Sequence, residues 1–235
     1  MEDMGAEPWH VAGSPVNALV GKIVAARAAR AAPGALVVAF SGPIGAGKTT
    51  TIGQVARQLR AAGLAVHVAE EQLPQPLFDK YLADPAAHAW DFQCAMAALR
   101  IYNTKNDVVR DVDVVLFDRF IGEDRVFFDA NVAAGRIPPA RAAGYEAMVG
   151  DAVAAFVGRT ALLVCCTVSF ETTIDRMLRR ERAGERDAYL NNPYFQSTYD
   201  LWTAWRETQA AVWGDRLHAH DNEPHSPLLC STAET

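Results

Sequence analysis

The sequence predicts an α/β fold, a doubly wound five-stranded parallel sheet flanked by helices. Five short segments, the first at 35–40 and the last at 216–220, have the length of strands, and the first four are apolar runs typical of buried strands. Segments of helical length separate these runs, and the connections between them are short. Glycine-rich or charged residues follow the first three of these strand segments. In open parallel sheets, ligands bind at the edge where the strands end. We therefore expect a binding site along that edge.

The first run is followed by a phosphate-binding motif. Residues 42–49 read Gly-Pro-Ile-Gly-Ala-Gly-Lys-Thr and fit the pattern G-x-x-x-x-G-K-[ST]. The glycines let the backbone turn several N–H groups onto a phosphate, and the helix that begins here adds the positive end of its dipole. We expect Lys48 to reach the β- and γ-phosphates and the Thr49 hydroxyl to bind Mg²⁺. The motif predicts ATP or another nucleoside triphosphate, bound by Gly42, Pro43, Ile44, Gly45, Ala46, Gly47, Thr49 and Thr50.

The other elements follow from local signals. A helix is expected at 17–32, before the Pro33-Gly34 break, and another at 50–62. Asp84-Pro85 begins a long helix that runs to about residue 110, because Asp is a good N-cap and Pro suits a first turn. Further helices are expected at 121–134, 138–157, 170–182 and 193–213, and further strands at 65–69, 113–117 and 161–167. The predicted organisation is an N-terminal extension at 1–34, one domain at 35–222 and a flexible tail at 223–235.

Composition bounds the kind of protein and its partners. Of 235 residues, 50% are hydrophobic and 21% are charged, as in ordinary globular domains. The net charge of −6 argues against nucleic acid or an anionic membrane as partner, and no apolar run approaches the ~20 residues that span a bilayer. The four cysteines lack metal-ligand spacing. We expect a cytoplasmic enzyme with a small-molecule substrate, and the Ala-rich segment 138–157 favours a homodimer.

Acidic residues follow the second and third apolar runs. Glu70 and Glu71 come directly after the second run, and Asp118-Arg119 follows the third. An apolar strand that ends in an acid, combined with a phosphate-binding loop, is typical of the Walker B arrangement, in which the carboxylate holds Mg²⁺. We therefore expect Asp118 to share the metal ion with Thr49.

One face of the long helix carries polar groups. Gln93, Ala97 and Arg100 fall at i, i+4 and i+7, so they lie on one stripe. An amide and a guanidinium on the same stripe indicate polar groups aimed into a pocket. A solvated surface stripe is the alternative.

These blocks together resemble the deoxynucleoside kinases, which phosphorylate the 5′-hydroxyl of deoxynucleosides with ATP. The resemblance covers about residues 35–222 and rests on the order and spacing of the blocks. After the phosphate-binding loop and the Glu beyond the second strand come Leu-x-x-x-Tyr-Leu-x-Asp-Pro, Phe92-Gln93, Asp118-Arg119-x-x-x-x-Asp124 and an Arg- and Glu-rich segment. It implies the P-loop nucleoside/nucleotide kinase type of α/β fold, with ATP and Mg²⁺.

The resemblance also implies roles for single residues. A carboxylate after the second strand is the general base for the 5′-hydroxyl; counting back from Asp84-Pro85 favours Glu70, with Glu71 as the alternative. Asp118-Arg119 matches the acid–arginine pair at the phosphate-transfer site. Contacts to the nucleobase are implied for Gln93, Arg100, Asp124 and Phe128, the last by stacking.

A lid is implied at 179–190. The segment Arg180-Glu-Arg182-Ala-Gly-Glu185 resembles the family's lid, in which the arginines clamp phosphates and the last Glu contacts the sugar 3′-hydroxyl. We expect the lid to become ordered on ATP and to exclude water.

The sequence departs from the family pattern at two places. The tyrosine that binds the 3′-hydroxyl is replaced by Leu82, and Tyr81 lies one position earlier. The proline that usually follows the catalytic glutamate is also missing. We expect Tyr81 to contact the substrate.

Three functions are compatible with a phosphate-binding loop in this setting: a deoxynucleoside kinase, a nucleotide kinase and a non-catalytic switch. A thymidylate-type nucleotide kinase shares the P-loop, the Asp-Arg motif and the Arg-rich lid, but Glu70-Glu71 would repel its substrate's phosphate. A non-catalytic P-loop switch would be favoured by a guanine-binding Asn-Lys-x-Asp motif on a late strand. The nearest segment, 103–106, reads Asn-Thr-Lys-Asn and falls within a predicted helix, so it does not qualify. A deoxynucleoside kinase accounts for more of the motifs than either.

The predicted base contacts indicate a base preference. Arg100 can only donate hydrogen bonds and ionised Asp124 can only accept them. Adenine and cytosine present a ring-nitrogen acceptor beside an amine donor, whereas thymine presents O4 in place of the amine; guanine is intermediate. We expect deoxyadenosine, deoxycytidine or deoxyguanosine to be preferred over thymidine. The alternative is that Arg100 and Asp124 form an ion pair away from the pocket.

Overall fold

The computed structural model describes residues 14–107, 111–180 and 193–223. Its strands are β1 (Leu36–Ser41), β2 (Val66–Ala69), β3 (Val114–Asp118), β4 (Thr160–Thr167) and β5 (Leu217–Asp221). They form one parallel sheet in the order β2-β3-β1-β4-β5. The predicted doubly wound five-stranded sheet is confirmed, and the strand that precedes the phosphate-binding motif lies at its centre.

Helices connect the strands and cover both faces of the sheet. They are α1 (Pro15–Ala29), α2 (Lys48–Ala61), α3 (Gln75–Ala83), α4 (Pro85–Asp107), α5 (Asp124–Ala133), α6 (Ala142–Arg159), α7 (Phe170–Arg180) and α8 (Pro193–Trp213). The helix expected at 121–134 is divided, because a 3₁₀ turn at Ile121–Glu123 precedes α5. Within the described ranges, no helix combines the length and the apolarity needed to cross a bilayer.

The three central strands, β3, β1 and β4, are mostly apolar because both faces of the sheet are buried there, whereas the edge strands β2 and β5 are partly exposed and carry histidines. Along β1, Leu36, Val38 and Phe40 belong to one core layer, and Val37 and Ala39 belong to the layer on the opposite face. Both layers exclude water, so a strand in this position has no polar face and appears in the sequence as a continuous apolar run.

Helix α1 packs onto the sheet. Leu19 and Ile23, one turn apart, are fully buried in the same layer as β1. Arg27 pairs with Asp113 at 2.9 Å, just before β3 begins. The helix is thereby attached to the α/β core through both apolar contacts and an ion pair.

Candidate active site

The carboxyl ends of three strands open onto one cavity of about 920 Å³. Strands β2, β3 and β1 lie side by side, so residues far apart in the sequence meet there. Helices α4 and α5 contribute the facing wall. The cavity lining includes these residues predicted from the sequence: Ile44, Gly45, Ala46, Gly47, Lys48, Thr49, Thr50, Glu70, Glu71, Tyr81, Gln93, Arg100, Asp118 and Arg119.

The phosphate-binding loop needs its glycines for conformation and for packing. Gly45 and Gly47 have φ near +83°, a region that residues with a side chain rarely adopt. A Cβ on Gly42 would lie 2.9 Å from the Cys166 carbonyl oxygen, so only glycine lets the loop lie this close to β4. The loop is therefore held tightly against the sheet with α2 beginning directly behind it.

Lys48 is buried beneath this loop. Its ammonium donates to the carbonyl oxygens of Gly42 at 2.8 Å and Pro43 at 3.1 Å. Burial and the nearby Arg119 lower the pKa of Lys48, while acidic neighbours oppose that shift. An ammonium has three donors, so one N–H is left beyond these two bonds for a group in the cavity.

Thr49 and Asp118 place two side-chain oxygen groups together at the mouth of the loop. The Thr49 hydroxyl donates to Asp118 Oδ2 at 2.6 Å. Asp118 Oδ1 is buried and has no hydrogen-bond partner among the described residues. A hydroxyl and a carboxylate with an unused oxygen suit Mg²⁺, which prefers oxygen ligands and keeps several of its waters.

A chain of opposite charges crosses the cavity floor. Glu71 Oε1 accepts from Arg119 Nε at 2.8 Å and from Arg100 Nη2 at 2.5 Å. Burial alone would raise the pKa of Glu71, but the two guanidiniums outweigh it and lower that pKa to about 2. Glu71 is therefore ionised at all pH values in which the enzyme is expected to work.

The two candidate bases are placed differently. Both are exposed residues after β2 and both line the cavity, but the Glu71 carboxylate contacts Arg119 and Arg100. The spacing to Asp84-Pro85 favoured Glu70, and the geometry favours Glu71.

The predicted base contacts meet at the α4–α5 wall. Gln93 is buried, and its amide nitrogen donates to the Asp124 carbonyl oxygen at 3.1 Å and to the Tyr145 hydroxyl at 3.2 Å. Arg100 forms an ion pair with the Asp124 carboxylate. Arg100 lines the cavity, whereas Asp124 is fully buried and does not itself line it, so the Asp124 carboxylate lies directly behind Arg100 in the α4–α5 wall and not at a remote surface.

The α5 phenylalanine that lines the cavity is Phe127, whereas the predicted Phe128 faces the core. Phe128 is buried and stacks on Tyr145, with ring centroids 4.4 Å apart. Phe127 lines the cavity, and the Arg119 guanidinium lies 4.8 Å from its ring centroid. Successive residues of a helix point about 100° apart, so a shift of one position exchanges the cavity face of α5 for its core face.

Tyr81 lines the cavity within a polar network. Its hydroxyl donates to Asn131 Oδ1 at 3.2 Å and accepts from Arg136 at 3.3 Å. The amide nitrogen of Asn131 donates in turn to the Tyr194 hydroxyl at 3.2 Å. Leu82, at the position of the family's tyrosine, packs with apolar neighbours instead.

Comparison with known proteins assigns the family. The family model described as "Deoxynucleoside kinase" matches residues 38–218, which is most of the chain and spans every site residue discussed above. The chain belongs to the deoxynucleoside kinase family. The enzyme is thus a phosphotransferase that acts on a nucleoside hydroxyl, as expected from the motifs, and not a switch.

Named relatives of this deoxynucleoside kinase differ in substrate. A deoxyguanosine kinase of Lactobacillus acidophilus is 29% identical over 177 residues, covering 73% of this chain and 75% of its own. A thymidine kinase of Ictalurid herpesvirus 1 is 29% identical over 185 residues, covering 75% of this chain and 77% of its own. A deoxyadenosine kinase from M. mycoides, solved with bound dCTP, has the same fold, with a TM-score of 0.66, 20% identity and coverage of 80% and 90% of the two chains.

Arg176 and Asn222 line the cavity of this deoxynucleoside kinase and are among the site residues that the sequence did not predict. Arg176 donates to the Gly45 carbonyl oxygen at 3.2 Å and to the Asn222 carbonyl oxygen at 2.5 Å. The Asn222 amide donates to the Ala46 carbonyl oxygen at 2.8 Å. Both support the outer side of the phosphate-binding loop. The available signals were that Asn222 follows the last strand and that Arg176 lies one turn before the basic lid segment.

The predicted lid falls mostly outside the described residues. Arg182 and Glu185 are among the residues that the structure does not describe, and Arg180 is the last residue of α7. Arg179 is exposed and pairs with Asp175 within α7 at 2.9 Å. The roles of the lid residues in binding phosphates and the sugar stay predictions.

Proposed function

We propose that this deoxynucleoside kinase transfers the γ-phosphate of ATP, with Mg²⁺, to the 5′-hydroxyl of deoxyadenosine, deoxycytidine or deoxyguanosine in preference to thymidine. The observation that carries this base preference is the polar α4–α5 wall, where Gln93 and the Arg100–Asp124 pair meet. The relatives do not choose among the bases, because they include both deoxyguanosine and thymidine kinases. The preference follows from the hydrogen-bonding groups of this wall.

The Gln93 amide is oriented by the protein. A backbone carbonyl can only accept, so the amide nitrogen must face the Asp124 carbonyl, and its second N–H reaches the Tyr145 hydroxyl. The amide oxygen is then the group left for a ligand in the cavity, which Gln93 lines. This orientation favours a base that directs an amine or ring N–H toward Gln93.

The Arg100–Asp124 pair adds a hydrogen-bond donor and further acceptors beside the Gln93 amide oxygen. Adenine and cytosine place a ring-nitrogen acceptor beside an amine donor, which matches an arginine donor beside carboxylate and amide oxygens. Thymine would direct its O4 at those oxygens. A polar pocket whose groups stay unpaired rejects an analogue strongly, by up to about 10⁴-fold in well-built sites. Guanine is intermediate, because its O6 can accept from Arg100 while its N1–H approaches Asp124.

We expect kcat/KM for thymidine to lie at least about 10-fold below that for the best of the other three deoxynucleosides. Asp124→Ala should narrow this ratio, because it removes an acceptor and frees Arg100 to donate to O4. The measurement is steady-state kcat/KM for the four deoxynucleosides at saturating MgATP. The ratio of two such values does not depend on how much of the enzyme is folded.

Asp129→Ala is the control. It removes an exposed ion pair with Arg125 on the same helix and should leave the ratio unchanged. Thymidine as the best substrate of the wild-type enzyme would overturn the proposal.

Glu71 is the general base in this proposal. Both arginines bind its Oε1, so Oε2 is left for the 5′-hydroxyl. As the 5′-oxygen forms its bond to the γ-phosphorus, the bond from that phosphorus to the bridging oxygen breaks, and ADP leaves. The hydroxyl proton passes to the Glu71 carboxylate, which Arg119 and Arg100 orient.

The phosphates are bound at the opposite end of the cavity. The loop N–H groups and the start of α2 cradle the phosphate oxygens, and Lys48 adds a positive charge. Thr49 and Asp118 would hold Mg²⁺, which neutralises charge on the β- and γ-phosphates when it is bound. Arg119 lies between Glu71 and the loop, so it faces the transferring group from the side of the attacking hydroxyl.

Asp118→Asn should raise the Mg²⁺ concentration that gives half-maximal rate by about 10- to 100-fold, because a neutral amide is a weaker ligand than a carboxylate. The measurement is initial rate against free Mg²⁺ at a fixed, saturating ATP concentration. Asp113→Asn is the matched control, since Asp113 lies just before the other end of β3 and pairs with Arg27. An unchanged Mg²⁺ requirement in Asp118→Asn would remove Asp118 from the metal site.

We also propose that the enzyme is a homodimer that pairs through α6. The outer face of this helix is exposed and rich in small residues, which allow two helices to approach closely. These exposed positions are Gly144, Ala147, Gly150, Ala154, Ala155 and Gly158.

A further inference from the structure

A fully buried carboxylate lies behind the cavity. Glu123 has no exposed surface, and its Oε1 accepts from Arg119 Nη1 and faces the Gly42 N–H at 3.5 Å. Its Oε2 is buried without a hydrogen-bond partner among the described residues. Removing a charged group from water in this way is costly, even when one oxygen is paired. A neutral side chain would fill the same space at lower cost.

The chain between Arg119 and Glu123 is built to bring the two side chains together. Arg119 has φ of +89°, an uncommon value for a residue with a side chain, and its N–H donates to the Phe40 carbonyl oxygen at 3.1 Å. Gly122 packs under the Phe120 ring, where a Cβ would lie 2.4 Å from a ring carbon. This tight 3₁₀ turn returns Glu123 beneath the Arg119 guanidinium. Strain of this kind persists where the surroundings enforce it, and it is concentrated at functional sites.

The Arg119 guanidinium is held on three sides. Nε donates to Glu71, Nη1 donates to Glu123, and the Phe127 ring lies against the guanidinium. Although burial alone would lower the pKa of Arg119, Glu123 and then Glu71 raise it above its usual range. Arg119 lines the cavity, so the donors of Nη2 are the ones left for a ligand there.

We infer that Glu123 is a positioning residue for phosphoryl transfer, acting through Arg119. It anchors Arg119 to the start of the phosphate-binding loop, so that Nη2 faces the transferring phosphoryl group. It also shares the arginine charge, so that Glu71 is not the sole counter-ion of Arg119 and remains able to accept the 5′-hydroxyl proton. This inference rests on the proposed function, since it assigns Glu71 and Arg119 to the reaction.

Glu123→Gln keeps the shape but removes the charge that holds Arg119. We expect kcat to fall by about 10- to 100-fold, a loss typical of a misplaced catalytic group, with KM for the deoxynucleoside changed by less than about 3-fold. Glu123→Asp keeps the charge but shortens the side chain, so it should also lower kcat. Glu146→Gln, which alters an exposed pair with Arg125, is the matched control and should behave like the wild-type enzyme.

The decisive comparison repeats Glu123→Gln in an Arg119→Lys background. When two residues act as a unit, the effects of substituting them are not additive. Adding Glu123→Gln to Arg119→Lys should therefore lower kcat by less than about 3-fold. An equal loss in both backgrounds would indicate a purely structural role and overturn the inference, as would wild-type kcat in Glu123→Gln. Failure of both Glu123 variants to fold would overturn it too, because Glu123 would then serve the fold.

A second measurement is independent of activity. In the ¹⁵N-labelled wild-type chain, the Arg119 guanidinium signals, assigned by their loss in Arg119→Lys, should show slow rotation and slow hydrogen exchange. Glu123→Gln should accelerate both by about 10-fold or more, since a hydrogen bond to a charged partner is replaced by a neutral one. If the wild-type chain phosphorylates no deoxynucleoside, the proposed function fails, and this readout still decides whether Glu123 holds Arg119. Unchanged Arg119 dynamics in Glu123→Gln would contradict the inference.

Discussion

Lys48→Ala is expected to lower kcat by at least about 10³-fold while leaving the fold intact. Phosphoryl transfer depends on positioning and on neutralising the charge that develops on the phosphoryl oxygens, and a preorganised cation beneath the loop does both. Lys48 is held there by the carbonyl oxygens of Gly42 and Pro43. The measurement is single-turnover phosphorylation of deoxyadenosine, deoxycytidine or deoxyguanosine, whichever is the best substrate, with circular dichroism to follow the fold.

Lys22→Ala is the control for this substitution. Lys22 lies on α1 and donates to the Asp215 carbonyl oxygen at 3.3 Å, outside the cavity lining. It should retain wild-type turnover. Near-normal turnover in Lys48→Ala would contradict the assignment of residues 42–49 as the phosphate site.

Glu71→Gln is expected to lower kcat by about 10²- to 10⁴-fold, the usual contribution of a general base. The amide oxygen can still accept the hydrogen bonds of both arginines, but the amide cannot take the 5′-hydroxyl proton. KM for the deoxynucleoside should change much less, because the base is recognised at the α4–α5 wall. Steady-state kinetics at saturating MgATP separate the two parameters.

Glu70→Gln is the matched control, because the substitution is the same and lies one residue away. It should retain at least about a third of wild-type kcat, since the arginine contacts belong to Glu71. The reverse result, with Glu70→Gln inactive and Glu71→Gln active, would return the role of base to the residue that the sequence spacing favoured.

Much of the fold and part of the site follow from short-range patterns. Both faces of the sheet are buried at its centre, so β1, β3 and β4 appear as apolar runs whose limits are nearly those observed. The motif at 42–49 is contiguous, and its chemistry depends on its own glycines, lysine and threonine. Gln93 and Arg100 share one face of α4 because helix geometry puts i and i+7 together. In these cases the information lies within one element.

Residue choices within the site required the tertiary structure. Glu70 and Glu71 have the same chemistry, and only the direction of the chain after β2 shows which one meets Arg119. Phe127 and Phe128 differ by one helical step, and packing of Phe128 on Tyr145 directs Phe127 into the cavity. In each case the question is which of two adjacent side chains faces the cavity. Packing against neighbouring elements decides the answer.

The sequence by itself determined the parallel α/β sheet, the phosphate-binding loop, the acid–arginine pair after β3 and the polar face of α4, because each is encoded in consecutive residues or in a fixed period. Only the tertiary structure decided that Glu71 contacts Arg119 and Arg100, and that Glu123 is buried beneath the loop. Those contacts join the ends of different strands. Their partners are chosen by strand order and side-chain direction, which no local pattern specifies.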